Sequence, residues 1–141
     1  MRFAIEEGAL VFYHNGERTR IEAWGKDSLR VRSTMQGKFT ENPWALTEDI
    51  PHGEALIVVE EEDHWVGDGT IDKKEKATIT NGRIQAVVNF AGIITFYRDG
   101  QQILREYYRM YDGTLSRESR CLKVINRTWK GVIGGSEYEL N

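Results

Sequence analysis

The sequence has one cysteine, Cys121, and only two prolines. A single cysteine closes no internal bridge, so the fold draws nothing from an oxidising compartment and a cytoplasmic setting is expected. No apolar run approaches bilayer length. The amino end, Met1-Arg2-Phe3-Ala4-Ile5-Glu6-Glu7, sets two acids where a secretory leader needs an unbroken apolar segment. Neither a membrane nor an export route is expected. A formal net charge of -3 leaves no global positive excess, so nucleic acid is not an expected partner.

Motifs that carry chemistry are equally scarce. His14, His52 and His64 are too far apart for a recognised metal spacing, and Cys121 has no cysteine or histidine beside it, so no metal and no cofactor are expected. Cys121 reads as a small buried apolar residue rather than a nucleophile. Gly131-Val132-Ile133-Gly134-Gly135 lacks the Gly-Lys-Ser/Thr of a P-loop and the helix of a dinucleotide fingerprint, which leaves turn residues between strands. Glu60-Glu61-Glu62-Asp63 precedes His64 and Trp65, but neighbouring carboxylates do not face each other across a glycosidic bond. The run is expected to be a solvated strand end or loop. Arg30 and Arg32 share one strand face, the pattern of a solvated or domain-contacting surface, too small to make a phosphate-binding case. No catalytic residue is assigned.

What the sequence does hold is alternation. Ile84, Ala86, Val88 and Phe90 fall on one face of a strand and Arg83, Gln85 and Asn89 on the other. Ile93 to Arg98 repeats the pattern, and Asp99-Gly100 supplies a tight turn before Ile103 and Leu104, giving a meander from about Ala77 to Tyr107. Ala9 to Tyr13 and Arg18 to Ala23 flank Asn15-Gly16, a second hairpin signal, and Leu29 to Ser33 is a further short strand. Leu56-Ile57-Val58-Val59 predicts a strand buried on both faces, and Leu122 to Asn126 another strand near the end.

Short strands with close turn signals and no long helical pattern predict an all-β fold, an antiparallel β-sandwich, within one domain over 1–141. A closed barrel around a small apolar ligand is the competing architecture. Thr34 to Ala55 lacks periodicity and is longer than most connections, so it is read as a functional or mobile loop. The tryptophans are Trp24, Trp44, Trp65 and Trp129. Trp44 and Trp65 fall in expected loops, where an indole face either stacks on a sugar or caps the core.

Three blocks recur in order: Trp24-Gly25-Lys26-Asp27-Ser28-Leu29-Arg30-Val31-Arg32, Ile79-Thr80-Asn81-Gly82-Arg83-Ile84, and Gly92 to Gly100 running into Leu104-Arg105-Glu106. Together they resemble the amino-terminal domain of glycoside hydrolase family 31, which comprises α-glucosidases and α-xylosidases. The resemblance implies a sandwich of the galactose-mutarotase-like supersandwich kind, preceding a (β/α)8 barrel whose aspartates act as nucleophile and acid/base. A barrel needs about 250 residues, so it lies outside this sequence, and the chain alone is expected to be no enzyme while its parent is. The Gly-Leu-Gly-Gln type segment that usually follows is also missing, and the chain is expected to continue beyond Asn141. The implied role is a non-catalytic domain of a retaining α-glycosidase. Its implied partners are the barrel of the same parent chain and an α-linked sugar or oligosaccharide. Substrate-proximal candidates are Trp44 in the long loop, and Trp65 with Asp68 in His64 to Thr70. The alternative is a free-standing carbohydrate-binding module with Trp44 and Trp65 as stacking platforms. Glucose or xylose preference, hydrolysis or transglycosylation, and oligomeric state are not legible here.

Overall fold

The computed structural model describes residues 3–14, 16–34, 37–39 and 53–106, and the backbone of 122–123, 131–132 and 135–136. Every regular element among them is a strand: β1 (Phe3–Glu6), β2 (Ala9–His14), β3 (Glu17–Ala23), β4 (Leu29–Thr34), β5 (Leu56–Trp65), β6 (Ile71–Asn81), β7 (Ile84–Val88), β8 (Ile94–Arg98), β9 (Gln101–Glu106), β10 (Leu122–Lys123), β11 (Gly131–Val132) and β12 (Gly135–Ser136). One sheet runs β1-β2-β3-β4, the other β10-β9-β8-β7-β6-β5, and all pairings are antiparallel. β11 and β12 form a separate small hairpin.

The two sheets pack face to face, β3 against β6 and β4 against β7. Leu10, Phe12 and Ile21 from one sheet meet Ala77, Ile79, Ala86, Val88, Ile94 and Phe96 from the other. Phe3 and Phe12 add an edge-to-face contact at 5.7 Å between ring centroids. Two separate sheets with a packed interior are a sandwich, which removes the closed-barrel alternative.

The predicted meander holds, with turns where glycine allows them. Asp99 and Gly100 take φ of +50° and +78°, the left-handed pair that a tight hairpin needs. Asn89 closes the β7–β8 connection by accepting hydrogen bonds at Oδ1 from the backbone N–H groups of Ala91 and Ile93, both at 3.0 Å. Phe90 therefore lies beyond β7 rather than in it.

Three expectations are corrected. Leu56 to Val59 is not buried on both faces: β5 is the sheet's edge, and Leu56, Val58 and Val59 are exposed. Its acidic run lies inside β5, not at its end or in a loop. Charged side chains along an edge strand discourage further strand pairing, which gives the run a physical role. Trp65 ends β5 instead of lying in a loop. β1, with its mixed Phe-Ala-Ile-Glu sequence, had no clear period and was not anticipated.

Candidate functional site

The resemblance blocks meet at one end of the sandwich. Asn81, nearly buried at the end of β6, donates through Nδ2 to the carbonyls of Gly25 at 2.8 Å and Ser28 at 2.7 Å. Those carbonyls belong to the β3–β4 turn, closed by Trp24 N–H donating to Ser28 O at 3.0 Å. Asp27, at φ +54°, accepts from the Arg83 N–H at 2.9 Å. Gly82 leaves room for that carboxylate: a Cβ there would collide with it, its Cγ lying 3.2 Å away. Arg83 then pairs with Asp99 in the next turn. One polar clasp thus joins both sheets, built by residues of the three resemblance blocks.

The second feature is a ribbon. β6 pairs with β7 over Ala77 to Asn81, whereas it pairs with β5 over Ile71 to Thr80. Residues Glu60–Trp65 and Ile71–Lys76 therefore extend past the neighbouring strand as a two-stranded arm. Ion pairs line it, Lys76 reaching Glu60 at 3.2 Å and Glu62 at 3.4 Å, with Lys73 beside Asp63. At the tip Trp65 pairs with Ile71, and Trp65, Val66 and Ile71 are 69%, 52% and 61% exposed. Asp68 Oδ1 accepts from the Thr70 N–H at 2.8 Å. Hydrogen bonds from Thr70 hold the Asp68 carboxyl below the usual carboxylate range. Asp68 is then a charged acceptor at neutral pH, able to receive hydroxyl hydrogen bonds but unsuited to donating a proton. The arm brings Trp65 and Asp68 to one tip; Trp44 lies outside the described residues. His64, near the tip, packs its ring 4.4 Å from Phe90.

The third feature lies on the outer face of the four-stranded sheet. Alternation on β3 points Arg18, Arg20 and Glu22 outward, and β4 adds Arg30 and Arg32. Arg20 stands opposite Arg32, and Glu22 opposite Arg30. Glu22 accepts from Arg20 Nε at 3.1 Å and from Arg32 Nη2 at 3.0 Å. Arg18 holds Glu6 at 2.7 Å and the Gly37 carbonyl at 3.2 Å. These groups line an open cleft of about 830 Å³. The small basic face expected from Arg30 and Arg32 is in fact a four-arginine cluster, and its side chains are only 13–22% exposed. The signal was the repeated Arg-x-Arg at 18–20 and 30–32, which gains meaning only once β3 and β4 are known to be partners. Among the described residues no group of three or more His, Cys, Asp or Glu side chains could hold a metal ion.

No family model matches the sequence. The chain is 33% identical over 131 residues to an uncharacterized family 31 glucosidase, ORF2, of Pseudescherichia vulneris, covering 86% of this chain and 22% of that protein. It also matches the crystal structure of a GH31 α-xylosidase from a soil metagenome complexed with xylose, with a TM-score of 0.62 and 31% identity, over 96% of this chain and 19% of that one. The resemblance to glycoside hydrolase family 31 is thus found in sequence and in fold. The chain spans about a fifth of the length of each of these two proteins.

Proposed function

We propose that this chain is a non-catalytic β-sandwich domain opening a retaining α-glycosidase of glycoside hydrolase family 31, packed on a (β/α)8 barrel that lies outside the sequence. The whole protein would cleave a terminal α-linked glucose or xylose through a covalent glycosyl-enzyme intermediate. The lone cysteine supports a reducing, cytoplasmic setting.

The observation that carries this reading is the ribbon. A two-stranded hairpin without a third strand is marginal in water, and this one ends in exposed Trp65, Val66 and Ile71. Such an arm is stabilised by lying on another surface. The likeness to proteins several times longer supports the barrel as that surface. Trp65 and the ionised Asp68 would then sit at the rim of the sugar pocket, the indole stacking on a ring and the carboxylate accepting from its hydroxyls.

The test is to assay the purified chain on nitrophenyl α-glucoside and α-xyloside. No hydrolysis is expected, and turnover by the chain alone would overturn the proposal. The free-standing binding-module reading rests on the same exposed Trp65. It requires malto-oligosaccharides or xylosides to change tryptophan fluorescence in the isolated chain, whereas the accessory-domain reading expects no such change.

A further inference from the structure

Among the described residues, the arginine cluster carries more positive charge than the carboxylates lining its cleft. Arg18, Arg20, Arg30, Arg32 and Lys38 line the cleft with Glu6, Glu7 and Glu22 as the opposing carboxylates. Glu7 sits at the rim with an 88% exposed side chain, and its contact with Arg20 is 3.6 Å. Like charges placed directly across antiparallel strands repel, yet Arg20 and Arg32 occupy such a pair. Glu22 answers both with one carboxylate, itself 8% exposed.

Apolar side chains lie behind and beside the arginines. Val11, which pairs with Arg20, and Ala9 are fully buried on the same outward face. Phe39 lies beneath the guanidinium groups of Arg18 and Arg32 at 5.2 and 5.1 Å. Partial burial against apolar groups weakens solvent screening, so both the repulsion among the arginines and their attraction for an anion are larger than for fully exposed side chains.

Hydrogen-bonding capacity is also unused. Among the described residues, the buried Nε groups of Arg18 and Arg32 have no acceptor. Arg30 lies over the Trp24 ring, its Cζ 4.4 Å from the centroid, while among the described residues its carboxylate partner, Glu22, is 3.9 Å away. That distance is an ion pair and too long for a hydrogen bond. A guanidinium held against an aromatic face, with no hydrogen bond among the described residues, is suited to two-point recognition of an oxyanion.

We propose that this cleft is a binding site for a small oxyanion, a phosphate or carboxylate group, contacted by Arg30 and Lys38. Glu22 is the positioning residue that holds Arg20 and Arg32 side by side. The inference stands on the cluster itself and is independent of the glycosidase reading.

The test is an NMR titration of the full chain, following arginine Nε–H and backbone signals. Inorganic phosphate and glucuronate are the two probes, with ionic strength held constant by sodium chloride. Saturable shifts at the Arg20, Arg30 and Arg32 Nε–H groups are expected for at least one probe, and the tighter one names the group. Arg30→Gln should weaken binding by roughly tenfold, the scale of one charge-assisted hydrogen bond. Lys38→Gln, at an exposed position that cannot unfold the sheet, should weaken it by roughly threefold. Lys73→Gln on the distant ribbon should leave it unchanged. Shifts no larger than those from chloride, or equal losses in Lys38→Gln and Lys73→Gln, would overturn the proposal.

Discussion

β6 lives in two environments. From Ala77 to Thr80 it lies between β5 and β7, with Ala77 and Ile79 fully buried, and Asn81 at its end clasps the opposite sheet. From Ile71 to Lys76 the same strand pairs, among the described residues, with β5 alone and carries Asp72, Lys73, Lys74, Glu75 and Lys76. The backbone ladder is continuous, so hydrogen bonding to β5 cannot be what separates the halves. Burial separates them: the body half removes apolar surface from water, and the ribbon half arranges charges that water already solvates.

If burial is the difference, truncation should be costly in one half and nearly silent in the other. Ile79→Ala deletes a fully buried side chain and should cost about 3 kcal/mol, read from the urea midpoint. Trp65→Ala removes a larger side chain from the ribbon tip, yet it should move stability by less than about 0.5 kcal/mol. A comparable loss in both variants would break the distinction.

The clasp sharpens the comparison because it stabilises the body half through polar contacts. Asn81→Ala removes the Nδ2 donor from the Gly25 and Ser28 carbonyls, leaving Ser28 O the Trp24 N–H alone among the described residues, and should cost about 2 kcal/mol. Gly82→Ala places a methyl against Asp27 at a φ of +59°, with a loss of similar size, about 2 kcal/mol. Asp27→Ala in the Gly82→Ala background should recover part of that loss, since it removes the colliding carboxylate. A double-mutant cycle showing no coupling would mean that the backbone conformation alone demands glycine.

The same contrast explains what could be read from the sequence. Ile84 to Val88 and Ile94 to Arg98 were legible because each faces a core on one side, which writes a period of two into the residues. Ile71-Asp72-Lys73-Lys74-Glu75-Lys76 has no core to face, so the beginning of β6 left no such mark. Leu56 to Val59 misled for the opposite reason: its apolar run belongs to an edge strand whose exposed side chains await no partner among the described residues. The clasp residues are legible in the sequence as a family resemblance, whereas their contacts are not. Asn81 and Gly25 are far apart in sequence, and only the packing of the two sheets shows why both are needed. The arginine cluster stayed hidden because two Arg-x-Arg pairs must be placed on adjacent strands before they become one site.

Acid titration should give the smallest effect and the finest test. Asp72 is held below the usual carboxylate range chiefly by a hydrogen bond from Lys74, and Asp99 chiefly by one from Arg83. Asp68 is lowered by Thr70. A carboxyl whose folded pKa is depressed contributes stability above its unfolded value, and that contribution is lost as pH falls through the lower folded value. All three contributions are therefore intact at neutral pH and disappear only below the ordinary aspartate range. Because all three groups are exposed, solvent screens them and the global change should be slight. The local change should follow geography. Asp68 and Asp72 report from the ribbon, so amide shifts near Thr70 and Lys74 should move on acidification while those of Ile79 and Ala86 hold. Simultaneous movement of ribbon and body amides through one transition would show that the arm unfolds with the sandwich, and that the two halves of β6 form a single cooperative unit.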